Sequence, residues 1–196
     1  MDQPKNSKLE AVIEGIAQEL GFVNDKRSGD DSLEPCIIVI IGASGDLAGR
    51  KLLPALFSLY LQEGLPTPFT ILGCGRTKMS DEDWRARAKQ AVADSAGFNG
   101  VRWDAFSANL FYREVEYEEP ESFDRLARYV RDLDHSRGTW GNRVFYLAIP
   151  PTLYGTTAQN LGNSGLSAEK KEGLGWSRIV VEKPFGRDLQ TAIALD

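Results

Sequence analysis

The most constraining feature of the sequence is an apolar run followed directly by a glycine-rich turn. The run Cys36–Ile41 reads CIIVII, and GASGDLAGRK follows it at residues 42–51. Gly42, Gly45 and Ala48 are spaced by three residues, and the helix-like stretch LLPALFSLYL comes next. Glycine at a strand-to-helix turn allows positive φ and lets another group approach bare backbone. The pattern therefore predicts a strand, a tight turn and a helix, an arrangement that suits a phosphate-bearing ligand.

Strand-like runs alternate with helical patterns along the rest of the chain. The short apolar or β-branched runs typical of buried parallel strands are CIIVII, FTILGC, NLFYREV, RVFYLAI and SRIVVE. Helices are predicted at residues 47–61, 81–96, 120–133 and 152–161, with a further start near residue 188. The stretch FNGVRWDAFSANLFY obeys neither period well. The alternation predicts right-handed βαβ crossovers and an α/β fold with a doubly wound, Rossmann-like parallel sheet.

The two ends of the chain have different patterns. Residues 7–21 begin with a capping box and carry an apolar helical face made of Leu9, Val12, Ile13, Ile16 and Leu20. Residues 24–35 are polar and contain Gly and Pro, as linkers do. We therefore predict a helix and linker over residues 1–34 and a folded domain over residues 35–196. The final LQTAIALD is periodic but has neither a Gly cap nor a Pro stop, so a second, α+β substrate domain is expected beyond it.

Composition narrows the class of partner. The chain of 196 residues is 42% hydrophobic and carries a net charge of −5. Nucleic-acid backbones and anionic membranes select basic faces, so neither is an expected partner. No apolar run approaches the ~20 residues of a spanning helix, and the N-terminus lacks the apolar region of a signal peptide, so a cytoplasmic location is expected. We expect no metal site.

The two cysteines, Cys36 and Cys74, are predicted to be free and buried. One begins the first predicted strand and the other ends the second. Neighbouring parallel strands would hold them apart by about five residues at ~3.3 Å each, beyond the ~7 Å limit for a disulfide.

The residues that follow the first two predicted strands indicate which cofactor the chain binds. Amide groups at a helix N-terminus attract a pyrophosphate, although the spacing Gly-x-x-Gly-x-x-Ala differs from the simplest dinucleotide fingerprint and a turn without a ligand is the alternative. Ser44 and Gly45 would present a hydroxyl and backbone amides to the ligand, while Ala48 and Gly49 would let the helix lie close to the strand.

The second strand is followed by Arg76, Thr77 and Lys78. An acid there would hold the ribose of NAD, whereas an Arg receives the 2′-phosphate of NADP. NADP is favoured, the alternative being that Arg76 is a solvated loop cation.

The ends of the fourth and fifth strands carry further candidates. Ile149, Pro150 and Pro151 predict a rigid wall beside the nicotinamide, and Tyr154 would either touch the cofactor or pack on its own helix. The fifth strand is followed by EKPFG, which places Lys183 at the mouth of the cleft, where it would meet an anion. The alternative is a surface pair between Lys183 and Glu182. A cis Lys183–Pro184 bond would turn this lysine into the cleft.

Four motifs in order, GASGDLAGRKLLPALFSLY, GCGRTK, NRVFYLAIPPTLY and RIVVEKPFGRDL, closely resemble the glucose-6-phosphate dehydrogenase family over residues 35–196. The resemblance implies oxidation of glucose 6-phosphate to 6-phosphogluconolactone with NADP, the entry step of the pentose phosphate route. It also implies a homo-oligomeric full-length protein. The cofactor-binding residues that it implies are Gly42, Ala43, Ser44, Gly45, Asp46, Leu47, Ala48, Gly49, Arg76, Thr77, Tyr154 and Lys183, with Lys183 also touching the sugar phosphate.

The sequence departs from that family in two ways. Gly49 stands where some members have Lys, and the segment RIDHYLGK and the catalytic His of the second domain are absent. Oxidation of a sugar hydroxyl requires a base that takes its proton as hydride leaves the carbon, and His135, in a polar predicted loop, is not expected to supply it. The coenzyme domain alone is therefore expected to be inactive. Two alternatives are another NADP-dependent sugar oxidoreductase, of the glucose–fructose oxidoreductase type, and a non-catalytic NADP-binding module.

Overall fold

Five parallel strands form one sheet in the computed structural model, which describes residues 14–18, 20, 33–168 and 175–181. The strands are β1 (Cys36–Ile41), β2 (Phe69–Gly75), β3 (Leu110–Glu114), β4 (Arg143–Leu147) and β5 (Ser177–Val181). Their order across the sheet is β3-β2-β1-β4-β5, and every neighbouring pair is parallel. The chain thus builds outward from β1 in one direction and then in the other, so the strand order reverses between β1 and β4. Open sheets bind ligands at such a reversal, past the carboxyl ends of the strands.

Helices connect the strands and cover both faces of the sheet. They are α1 (Leu53–Leu61), α2 (Asp81–Val92), α3 (Gly100–Ser107), α4 (Pro120–Arg137) and α5 (Tyr154–Asn163). A π-helical turn (Ala48–Leu52) leads into α1, and a 3₁₀ turn (Pro151–Leu153) leads into α5. The doubly wound α/β prediction is confirmed. None of the described helices is both long and apolar enough to cross a membrane.

The core consists of two clusters, one on each face of the sheet, because successive side chains of a strand point to opposite faces. Ile38 and Ile40 of β1 face a cluster with residues of α1, α2 and α3, whereas Ile37, Val39 and Ile41 face a cluster with residues of α4 and α5. Every residue of β1 is buried. This explains the unbroken apolar runs of the sequence, because a strand covered on both faces cannot alternate with polar residues.

The N-terminal helix packs on the first of these faces where it is described. Residues 14–18 are helical, and Ile16, Ala17 and Leu20 are buried in the same cluster as Ile38. The predicted capping box and most of the linker lie outside the described residues, and the domain boundary at residue 34 stays a prediction.

Local structure departs from the sequence interpretation at several points. Residues 100–107 of the unassigned aromatic stretch form α3, because Trp103 and Phe106 pack around Phe57 of α1, with ring centroids 6.3 and 5.2 Å away. The helix predicted to end at residue 133 continues to Arg137 and is capped by Gly138 at φ 66°. His135 therefore lies on the last turn of α4 and not in a loop. Pro54 stands in the first turn of α1, where the helix restarts after the π-helical turn.

The two cysteines lie where the sequence predicts. Cys36 is paired across the sheet with Phe69, and Cys74 with Ile41, so they sit at opposite ends of neighbouring strands. Both are free and buried. Burial raises the pKa of Cys36 to about 12 and raises that of Cys74 as well.

The first strand ends against the backbone that follows β4. Gly42 has φ 97°, and a Cβ atom built on it would lie 2.3 Å from the carbonyl oxygen of Ala148. The Ala148 amide in turn donates to the carbonyl of Ile41 at 2.8 Å. A side chain at position 42 would therefore push the ends of β1 and β4 apart.

We expect Gly42→Ala to lower the free energy of unfolding by about 2 kcal/mol or more, because it combines a strained φ with a backbone clash. Urea unfolding followed by circular dichroism measures the change. Gly49→Ala is the matched control, since a Cβ atom there meets nothing within 4 Å. Equal midpoints for Gly42→Ala and the unmodified chain would contradict the close approach.

The native thiols are expected to resist a disulfide reagent such as Ellman's reagent, because the thiolate that reacts is both shielded and disfavoured by burial. In guanidinium chloride both Cys36 and Cys74 should react. Counting the thiols that react with and without denaturant checks this expectation. Rapid labelling of the folded chain would show that one of the two is accessible.

Candidate functional site

A cleft of about 520 Å³ opens at the carboxyl ends of the strands, where the strand order reverses. Pockets that hold small molecules and cofactors occupy roughly 300–1,000 Å³. Residues that follow four of the strands line this cleft, namely Gly42, Ser44, Gly45, Arg76, Thr77, Glu116, Tyr117, Ala148, Ile149 and Pro150. The structure therefore brings together the glycine turn, the cation after β2 and the apolar wall after β4, as the sequence predicts.

The glycine turn is held by the end of β2. The amides of Gly42 and Ala43 both donate to the carbonyl of Cys74, at 2.8 and 2.9 Å. The amide of Gly45, which we expected to face a ligand, instead donates to the Gly42 carbonyl at 2.9 Å. The turn is thus a fixed loop that brings bare backbone to the cleft.

A tyrosine behind the turn ties it to the loop after β2. The hydroxyl of Tyr112, in β3, donates to the Thr77 carbonyl at 2.6 Å, and the Ser44 hydroxyl hydrogen-bonds to the same tyrosine oxygen. Burial raises the pKa of Tyr112 to about 12, so it stays a neutral donor at physiological pH. The Ser44 hydroxyl, which we expected to face the ligand, is bonded to this tyrosine.

Arg76 lies in the cleft beside an aromatic ring. Its side chain is exposed, and its guanidinium carbon is 5.5 Å from the centroid of the Tyr117 ring. The Arg76 backbone N–H also donates to the Tyr117 hydroxyl oxygen. Burial raises the pKa of Tyr117, and the nearby charge of Arg76 offsets part of that rise. The Arg76 side chain therefore lines the cleft with its guanidinium over the neutral Tyr117 ring.

Sequence reasoning missed Glu116, a carboxylate in the same cleft. Among the described residues that line the cleft, Arg76 and Glu116 carry the formal charges. The signal was available, because Glu116 follows β3 at the carboxyl edge of the sheet. Its backbone amide is held by the Ser122 hydroxyl at 3.0 Å, which fixes the loop at the mouth of the cleft.

The rest of the predicted glycine-turn residues take other positions. Asp46 is exposed and pairs with Arg50 at 2.6 Å, whereas Ala48 is fully buried beneath the turn. Leu47 is half-buried. Gly49 was expected to let the helix lie close to the strand, but a Cβ atom there would meet nothing within 4 Å, so the close packing does not require glycine.

Tyr154 and His135 lie away from the described lining of the cleft. Tyr154, at the start of α5, is only 5% exposed and packs in the core cluster that covers α4 and α5. His135 lines a separate cavity with Trp140 and Arg143, at the end of the sheet where β4 begins. Lys183, Glu182 and the Lys183–Pro184 bond lie outside the described residues.

Comparison with known proteins identifies the family. Residues 39–196 match the family model described as "Glucose-6-phosphate dehydrogenase, NAD binding domain". Glucose-6-phosphate 1-dehydrogenase of Aggregatibacter actinomycetemcomitans is 41% identical over 163 residues, covering 83% of this chain and 32% of that protein. The enzyme of Treponema pallidum (strain Nichols) is 44% identical over 170 residues, covering 85% and 32%.

A solved structure shares the fold. It is described as glucose-6-phosphate dehydrogenase in complex with its substrate glucose-6-phosphate, and it aligns with a TM-score of 0.73 at 31% identity. The alignment covers 86% of this chain and 34% of that one. The chain thus spans about a third of the length of the relatives that it matches. With a family model matched over residues 39–196, this chain belongs to the glucose-6-phosphate dehydrogenase family and corresponds to its nicotinamide dinucleotide-binding domain.

Proposed function

We propose that the chain is the coenzyme-binding portion of an NADP-dependent glucose-6-phosphate dehydrogenase, which oxidises glucose 6-phosphate to 6-phosphogluconolactone. The observation that carries the choice of NADP is the position of Arg76, which lines the same cleft as the glycine turn. A guanidinium presents paired N–H donors that match phosphate oxygens. A homo-oligomeric, cytoplasmic full-length protein is part of the same proposal and is supported by family membership.

The turn residues would hold the pyrophosphate. Gly42 and Gly45 bring backbone to the cleft without a side chain, and the helical segment that follows directs its N-terminal partial charge toward the same place. Ala43 is buried against Gly73, so its contribution would be through its backbone. The residues from Asp46 to Gly49 would support this loop, with Asp46 held by its ion pair to Arg50.

Arg76 and Thr77 would bind the adenosine end and select the cofactor. Arg76 is exposed and free to meet a 2′-phosphate, while the neighbouring Tyr117 ring offers a flat surface for a base. The opposite wall, Ile149 and Pro150, is stiff and apolar and would exclude water from the reacting ring. When bound, NADP would supply the acceptor for the hydride that leaves the carbon bearing the sugar hydroxyl.

Lys183 is proposed to contact both the cofactor and the sugar phosphate, and Tyr154 to approach the cofactor from the α5 side. Oxidation also needs a base that accepts the hydroxyl proton. His135 lies at the opposite end of β4 from the cleft. We therefore propose that the base comes from a part of the protein other than the residues described.

We expect Arg76→Gln to weaken NADP binding about ten- to a hundredfold while NAD binding changes less than about twofold, since the lost contact is charged and specific to the 2′-phosphate. Isothermal titration of the chain with each cofactor measures both dissociation constants. Arg102→Gln removes an equal charge from the exposed face of α3 and serves as the control. If Arg76→Gln and Arg102→Gln bind NADP equally well, Arg76 is not the selecting residue.

The isolated 196-residue chain is expected to bind NADP without oxidising glucose 6-phosphate, because the proposed base is supplied elsewhere. Formation of NADPH, followed by its absorbance, checks this against a full-length relative as positive control. Turnover by the isolated chain at the relative's rate would contradict the placement of the base.

A further inference from the structure

Arg87, on helix α2, joins the two loops that flank the proposed 2′-phosphate position. Its Nη2 donates to the Ser44 carbonyl of the glycine turn at 3.3 Å. Its Nη1 lies 3.5 Å from the Sδ of Met79, in the loop that follows Arg76 and Thr77. One guanidinium therefore spans the gap between the turn after β1 and the loop after β2.

The helix that carries Arg87 is firmly placed. Ser80 and Asp83 form a reciprocal capping box at its start, with the Asp83 amide donating to the Ser80 hydroxyl at 3.0 Å. Trp84, three residues before Arg87, is 1% exposed and packs against Gly73 of β2. Ala88, which follows Arg87, is fully buried. The base of the arginine side chain is thus fixed, while the residue itself is exposed and contacts Ser44, which lines the cleft.

The formal charges that line the cleft would not balance the charge of a bound phosphate. Arg76 and Glu116, the formally charged residues of the described lining, balance each other. A phosphate monoester brings a charge of about −1.5 to −2 at neutral pH. Arg87 provides a further positive charge at the side where Ser44 meets the cleft. Its field also acts on the neighbouring Tyr112, whose pKa it lowers against the larger effect of burial.

The guanidinium still has capacity to bind a ligand. It carries more N–H donors than the contacts to Ser44 and Met79 use. Its planar fork can hold a backbone carbonyl on one edge and phosphate oxygens on another. Lys89, on the same helix and also exposed, makes no hydrogen bond to either loop among the described residues, so position and not charge alone distinguishes Arg87.

We propose that Arg87 is a second cofactor-selecting residue, which binds the 2′-phosphate of NADP together with Arg76. This inference rests on the proposed function of the cleft. The proposed contact would come from helix α2 and not from a residue that directly follows a strand, since Arg87 lies 12 residues beyond the end of β2 at Gly75. Arg76 would approach the phosphate from the open side and Arg87 from the side of the glycine turn.

Titration of the purified chain with NADP, NAD and 2′-AMP tests the proposal. Arg87→Gln should weaken NADP and 2′-AMP about five- to twentyfold and leave NAD within about twofold. Arg87→Lys should retain part of the affinity, since the charge remains but the fork is lost. Lys89→Gln, the matched control, should bind all three ligands as the unmodified chain does. Thermal unfolding of each variant reports on folding.

The outcomes separate this inference from the proposed function. If Arg87→Gln leaves NADP and 2′-AMP unchanged while Arg76→Gln weakens both, the role of Arg87 is overturned and the NADP site stands. An equal loss of NADP and NAD in Arg87→Gln also overturns it, because it shows that Arg87 only supports the Ser44 loop. If Arg76→Gln has no effect either, the assignment of the NADP site itself fails.

Discussion

The contact between Gly42 and the carbonyl of Ala148 is the constraint on which the rest of the site depends. The two backbones approach so closely that a Cβ atom at position 42 would lie 2.3 Å from that oxygen. Because the chain leaves β1 and β4 in different directions, this contact marks the point where the strand order reverses. The cleft opens directly beyond it, so the contact that joins the ends of β1 and β4 also positions the cleft.

Three loops then converge on the cleft with distinct properties. The turn after β1 offers backbone, the loop after β2 offers Arg76, and the loop after β4 offers the apolar pair Ile149 and Pro150. Tyr112 connects the first two loops from behind through Ser44 and Thr77. A dinucleotide has a pyrophosphate, an adenosine ribose that carries a phosphate or a hydroxyl, and a flat nicotinamide ring. These three parts correspond in turn to the three surfaces. The proposed binding of a dinucleotide depends on this convergence.

The sequence allowed the strands, the doubly wound sheet and the cleft residues after β1 and β2 to be predicted, because continuous apolar runs and a glycine turn are local signals. It did not reveal α3, whose Trp103 and Phe106 are ordered by contact with Phe57 far along the chain. Glu116 was missed although it follows β3 at the carboxyl edge of the sheet. Nor did the sequence reveal Arg87, because its position depends on how α2 packs against the sheet, which residue spacing does not encode.

A crystal structure of the chain grown with NADP would locate both phosphate groups of the cofactor. We expect the pyrophosphate against the turn at Gly42 and the 2′-phosphate within hydrogen-bonding distance of the Arg76 guanidinium, at the carboxyl edge of β1 and β2. Electron density that places the adenosine phosphate elsewhere, with Arg76 directed into solvent, would contradict it.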